Sequence, residues 1–302
     1  MSKVCVLQLP TLSMNESRID YYMKIAKDND AKIVLLGEYV LNSFFTELKK
    51  MPKPMIKEQS DHKKTLFANL AKKYDLTIIA PIVLLKNGGY AKSVAKFSPS
   101  STKYFDQNIL INYAHWDEDG FFINSKNAKK EQNDEISFPI FSDNGVKYGI
   151  LFGFEAHFDA AWAYFMKKKV DCVLLPCAST FDSNERWEEL LKIRSWLNSV
   201  FIIRANRIGK AKFGKENCDF YGRSAVFSPL GEIINSLKDE EGVLLSEISK
   251  KELSFAKNLW KFRDISAKKG LIQYLNLVIF GWLKWNIFTD KYSFGAKTGK
   301  IR

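Results

Sequence analysis

The sequence predicts an α/β fold whose sheets are covered on both faces, and three observations carry that reading. Short runs such as Val4–Leu9, Lys32–Leu36, Thr77–Leu84, Cys172–Pro176 and Val200–Asn206 are almost continuously apolar, as strands buried on both sides are. Segments with apolar residues at helical spacing separate those runs. The chain has 302 residues, 46 % hydrophobic and 26 % charged, enough to bury a sizeable core, which excludes disordered and fibrous classes.

In chain order, Val4–Leu9 reads as a strand and Glu16–Asp30 as a helix with Ile19, Tyr22, Met23 and Ala26 on one face. Lys32–Leu36 is a strand ending at Gly37-Glu38, Lys63–Tyr74 a helix, and Thr77–Leu84 a strand running into the turn Asn87-Gly88-Gly89. Lys92–Phe97 and Lys103–Asn112 read as two further strands of a meander, and Ser125–Glu135 as a polar surface loop. The second half repeats the alternation: strand Lys147–Gly153, helix Ala160–Lys169, strand Cys172–Pro176, helix Glu185–Ser199 and strand Val200–Asn206. Gly222–Phe227 and Gly242–Ile248 read as a hairpin pair around Pro229-Leu230-Gly231. With no internal repeat and no Pro/Gly/Ser linker, the simplest division is one domain over 1–264 and a tail over 265–302.

Charge singles out that tail. The whole chain carries +12, and its last 52 residues hold eleven Lys and Arg against three acids, which points to an acidic partner surface. Nucleic acid is a poor candidate, because no helix-turn-helix, finger or RNA-binding signature is present. Four scattered cysteines with no CxxC pair argue against both a disulfide framework and structural zinc. Glu38, His115, Glu155 and His157 lack metal-ligand spacing, so neither metal nor cofactor is expected. The opening MSKVCVLQLP has no apolar signal core, and the expectation is a cytoplasmic protein.

Several segments in order carry a family resemblance over nearly all of residues 3–265. KIVLLGEYVL, YGILFGFEAHFDAAW, WEELLKIRSWLNSVFIIRANRIG, FYGRSAVFSPLGEIINS and DEEGVLLSEI resemble the corresponding segments of the nitrilase superfamily, the carbon–nitrogen hydrolases. The resemblance implies a four-layer αββα sandwich, commonly assembled as dimers or larger oligomers. It also implies a cysteine nucleophile, a glutamate base and a lysine that stabilises the charge developing on the tetrahedral intermediate. The glutamate falls on Glu38, the lysine position on Gln107 and the cysteine position on Gly153. A second glutamate of many members falls on His115, with Glu118 able to serve after a small loop shift.

Glycine cannot form a thioester and glutamine carries no charge. Loss of a nucleophile alone costs on the order of a million-fold in rate, about 8 kcal/mol. The expectation from sequence is therefore a catalytically inactive nitrilase-like protein acting as a binding or scaffold module. Two alternatives stand beside it: an amide or nitrile hydrolase with a rearranged site using Glu38 and Cys177, and a non-catalytic small-molecule sensor. Cys177, in LLPCAST, follows the nucleophile segment by one strand and reads either as a buried space-filling thiol or as a relocated nucleophile.

Residues 270–288, GLIQYLNLVIFGWLKWNIF, contain one charge, Lys284, and as a helix would be about 28 Å long. Tyr274, Phe280, Trp282, Trp285 and Phe288 are residue types that seek an apolar or interfacial cover. The tail is thus expected to contact a protein partner or an anionic membrane surface, placing the domain at the inner face of the cytoplasmic membrane.

Overall fold

The computed structural model describes residues 2–14, 16–124, 136–213, 216–263 and 265. The expected loop over 125–135 and the tail contacts over 270–302 lie outside the described residues. Fourteen strands are described: β1 Ser2–Gln8, β2 Ile33–Leu36, β3 Thr77–Lys86, β4 Gly89–Phe97, β5 Thr102–Asp106, β6 Ile140–Asp143 and β7 Val146–Ile150, then β8 Cys172–Cys177, β9 Phe201–Asn206, β10 Ile208–Phe213, β11 Glu216–Tyr221, β12 Ala225–Phe227, β13 Ile233–Ser236 and β14 Gly242–Ile248. Six α-helices accompany them: α1 Ser17–Asp28, α2 Phe45–Leu48, α3 Lys53–Tyr74, α4 Asp159–Lys167, α5 Asn184–Asn198 and α6 Lys250–Trp260.

Ten of the strands form two six-stranded sheets together with β13 and β14. One runs β14-β1-β2-β3-β4-β5 and the other β13-β12-β9-β8-β7-β6, with β10-β11 as a separate ribbon. Each sheet has a parallel centre, β1-β2-β3 in one and β7-β8-β9 in the other, flanked by antiparallel strands. Alternation along the strands then sorts the core into three layers. Val4, Val6, Ile33 and Leu35 meet Tyr148, Leu174, Phe201 and Ile203 between the sheets. On the first sheet's other face, Cys5, Leu7, Val34 and Leu36 pack on Ile19 and Met23 of α1 and Phe67 and Leu70 of α3. On the second sheet's outer face, Val173, Leu175 and Ile202 pack on Trp162 and Phe165 of α4 and Leu191 of α5. The result is the four-layer αββα sandwich.

The local differences from the sequence reading have physical causes. Helix α3 begins ten residues earlier than its apolar spacing indicates, because Pro52 precedes it and Pro54 lies in its first turn, where a missing N–H costs nothing. The meander strand stops at Asp106 rather than Asn112, where the Glu155 carboxylate captures the N–H groups of Asn108 and Ile109. The hairpin pairing of Gly222–Phe227 with Gly242–Ile248 does not form. Instead β12 pairs with β13 in one sheet and β14 pairs antiparallel with β1 in the other. Both sheets take an apolar closing strand, so composition alone cannot say which sheet each joins.

Gly37 fixes how closely the two sheets approach at one end. An added Cβ there would lie 2.9 Å from the Arg207 nitrogen and 3.0 Å from the Cys177 carbonyl oxygen. The next residue's N–H, that of Glu38, donates to the same Cys177 carbonyl at 3.0 Å. The ends of β2 and β8 are thereby stitched together, and the residues just beyond them share one cleft.

Candidate active site

Glu38 leaves the end of β2 with its carboxylate buried, and Lys92 reaches it from the middle of β4. The Lys92 ammonium sits 2.5 Å from Glu38 Oε2 and 2.7 Å from Glu118 Oε1. Lys92 is 3 % exposed and Glu118 fully buried. The Tyr39 hydroxyl also donates to Glu118 Oε1, and Tyr39 pays for that placement with a left-handed backbone at φ 57°. Asn124 clamps the strand that carries the lysine: its Oδ1 accepts from the Lys92 N–H at 3.0 Å, and its Nδ2 donates to the Lys92 carbonyl at 2.7 Å.

The electrostatics follow from two carboxylates sharing one ammonium. Burial alone would strip the Lys92 proton, but Glu118 and Glu38 outweigh it and hold the lysine above its ordinary value, so it stays an ammonium. Burial pushes the Glu38 carboxyl up, opposed by Lys92 and by an N–H from Gly153, and reinforced by Glu118. Glu38 is therefore a carboxylate poised to take a proton.

Gly153 opens a short 3-10 turn, Gly153–His157, immediately after β7. A Cβ built there would stand 2.8 Å from Cys177 Sγ and 3.4 Å from Glu38 Oε1. The space a side chain at 153 would need is occupied by the thiol of Cys177, delivered from the end of β8. Burial pushes that thiol up to about 12, with Glu38 adding to the rise, while the charges of Arg204 and Lys92 pull the other way. Arg204 is itself fully buried; it contacts Asn184 Oδ1 at 3.3 Å and the Tyr221 hydroxyl at 3.1 Å, and its Nε has no partner.

The other residues singled out from sequence fall into place around this centre. Gln107 is buried beside Lys92, its N–H donating to the Lys92 carbonyl at 2.9 Å. Its side-chain amide turns away to donate to the Ile109 carbonyl at 2.6 Å, and it does not line the cleft. His115 is on the cleft rim, its ring stacked on Tyr113 at 5.8 Å and edge-on to Phe181 at 5.7 Å. It is Glu118, rather than His115, whose carboxylate meets the lysine. Gln107 brings no charge to the centre, but Lys92 places an ammonium there from the adjacent strand. Sequence gave one faint signal of this, a lysine inside the apolar run Tyr90–Ala95.

Above Glu38, Gly153 and Cys177 opens a cleft of about 270 Å³, walled by Tyr113, Trp116, Phe154, Phe181 and Trp187. Among the described residues no group of three or more His, Cys, Asp or Glu side chains is placed to hold a metal ion. No described helix is long and apolar enough to cross a membrane.

Residues 3–258, which span both sheets and the cleft, match the family model described as carbon–nitrogen hydrolase. The chain belongs to the carbon–nitrogen hydrolase family. Relatives include an N-carbamoylputrescine amidase of Solanum tuberosum, 22 % identical over 84 % of this chain and 87 % of that protein. A probable nitrilase of Schizosaccharomyces pombe is 26 % identical over 59 % of this chain and 61 % of that one. Among solved structures, a carbon–nitrogen hydrolase from Helicobacter pylori G27 superposes with a TM-score of 0.73 at 21 % identity, covering 86 % of this chain and 94 % of that one. The amidase from Nesterenkonia sp. AN1, in a form with acrylamide added to its active-site cysteine, gives 0.68 at 17 % identity over 84 % and 96 % of the two chains.

Proposed function

We propose that this carbon–nitrogen hydrolase retains hydrolysis of an amide-type C–N bond through a rearranged centre in which Cys177 is the nucleophile, Glu38 the proton carrier and Lys92 the fixed cation. The observation that carries the reading is the double substitution of position by neighbour. Where Gly153 lacks a side chain, the Cys177 sulfur fills its space; where Gln107 lacks a charge, the Lys92 ammonium comes in from β4 to Glu38. Two losses drifting independently would have no reason to be replaced by a thiol and an ammonium at the same centre.

The chemistry balances on these groups. As Cys177 Sγ bonds to the amide carbon, its proton passes to Glu38, whose raised affinity for a proton suits a base that must hold it only briefly. The C=O π pair moves to oxygen, and the positive field of Lys92 offsets part of that charge. Collapse breaks the C–N bond, the Glu38 proton leaves with the amine or ammonia, and a thioester remains on Cys177. Water activated by Glu38 then adds to the thioester and releases the acid, returning the proton to sulfur.

The second reading is the inactive scaffold or sensor, favoured by a thiol held protonated up to about pH 12. Incubating the full chain with a panel of primary amides and N-carbamoyl compounds, and measuring ammonia release, separates the two. Turnover abolished by Cys177→Ala supports the rearranged centre; no release from any member by a folded protein supports the inactive reading.

A further inference from the structure

We infer that the end of the domain opposite the cleft is a docking surface for an anionic lipid bilayer, formed by helix α6 and the turn between α4 and β8; the inference is independent of the hydrolase reading. Three contacts fasten these elements and the start of β7 together. Lys257 pairs with Asp171 at 2.5 Å, Arg263 donates to the Val170 carbonyl at 2.9 Å, and the Lys147 ammonium donates to the Lys168 carbonyl at 3.0 Å. Residues 167–171 and 250–263 carry eight Lys and Arg against two acids. Of those acids, Asp171 is taken up by Lys257 and Glu252 is half-buried. Lys168, Lys169, Lys250, Lys251 and Lys261 are exposed.

The same helix is apolar on its outer side. Leu253 and Ala256 are its buried residues. Phe255 and Leu259, one turn apart on the other side, are 56 % and 52 % exposed, and Trp260 and Ile265 are 42 % and 52 % exposed. A cover for this row must bury apolar side chains and also answer the positive charge around them. Charge complementarity selects among the candidates. A second copy meeting this surface about a two-fold axis would set lysines against lysines. Residues 266–302, folded back over it, would bring seven more Lys and Arg against one Asp. Nucleic acid supplies anions but no apolar cover for Phe255 and Leu259. An anionic leaflet supplies both, phosphates for the lysines and the headgroup–acyl boundary for the apolar row, and Trp260 is of a residue type enriched at that boundary. Strands β7 and β8 start at this surface, at Val146 and Cys172, and end beside Gly153 and at Cys177. A domain seated this way holds its cleft roughly 20 Å from the leaflet, open to water.

The test is flotation of the full chain with two kinds of vesicle, phosphatidylcholine alone and an equal mixture of phosphatidylcholine and phosphatidylglycerol. The expected result is binding to the mixed vesicles, at least tenfold tighter than to phosphatidylcholine and weakened by high salt. Lys168→Gln, Lys169→Gln and Lys251→Gln together should weaken it about a hundredfold. Phe255→Ser with Leu259→Ser should weaken it at least tenfold at unchanged charge. All five side chains are exposed, so both sets of substitutions are expected to keep the wild-type circular dichroism spectrum. No binding to the mixed vesicles, equal binding to both kinds, or binding that survives either set of substitutions would overturn the inference. So would duplex DNA bound in place of vesicles, or, in place of vesicle binding, a dimer by light scattering that Phe255→Ser with Leu259→Ser breaks. Ammonia release, or its absence, bears on the hydrolase reading alone.

Discussion

Replacing Lys92 by methionine removes the one cation between Glu38 and Glu118 while keeping the volume of the stem. At 2.5 and 2.7 Å each contact is worth about 6 kcal/mol of gross attraction at an effective dielectric constant of about 20. Desolvation of the three groups offsets most of that, and breaking such a buried pair by removing one partner costs about 3–5 kcal/mol. Two carboxylates would then face each other without a counter-charge. The proton affinity of Glu38, already raised by burial, would rise further above that of the unfolded chain. A group of this kind supports the fold below its unfolded value near 4.5 and ceases to as pH climbs through the folded value. The deficit of Lys92→Met in urea denaturation is therefore expected to be near its full size at pH 8 and clearly smaller at pH 5, with the thermal midpoint at pH 8 falling about 10 °C. A deficit below about 1 kcal/mol, or one that does not change with pH, would refute the reasoning.

Three further outcomes follow. Gly153→Ala is expected to lower ammonia release at least tenfold, because its Cβ would press on the Cys177 sulfur; in the Cys177→Ala background that obstacle is gone, and Gly153→Cys should then return activity above the single-mutant floor. The Glu155 carboxyl is buried and pushed up to about 7 by burial against three accepted N–H bonds. Stability is thus expected to fall by up to about 3 kcal/mol between pH 4.5 and 8 from this group, and Glu155→Gln should flatten the urea-midpoint profile across that range. Gly37→Ala should cost at least about 1–3 kcal/mol by thermal melting, since its Cβ meets backbone atoms of the opposite sheet that cannot move aside.

The α/β architecture was legible in sequence because its central strands are buried on both faces and announce themselves as apolar runs, and because Ile19, Met23, Leu70 and Leu191 keep helical spacing on the covering helices; the four-layer sandwich came from the family resemblance. Glu38 was legible through the resemblance of the segment KIVLLGEYVL to the family's strand-end glutamate. Lys92 was not. Its role depends on β4 lying between β3 and β5 and on a carboxylate 26 residues further along the chain, and nothing in the local run Gly89–Phe97 encodes either neighbour. The placement of Cys177 in the space left by Gly153 is equally non-local, set by the parallel pairing of β7 with β8. The pairing of β14 with β1 joins the two ends of the described domain, a contact no short-range hairpin signal reports.

In the proposed mechanism the Cys177 sulfur attacks the carbonyl carbon. The most direct measurement is intact-protein and peptide mass spectrometry of the full chain quenched in acid during turnover of an activated ester or a primary amide. The expected result is an acyl adduct of one equivalent on the peptide holding Cys177, absent in Cys177→Ala and strongly reduced in Glu38→Gln, which removes the base for both acylation and deacylation. An adduct on Cys5, Cys172 or Cys218 instead, or turnover that persists in Cys177→Ala, would contradict it.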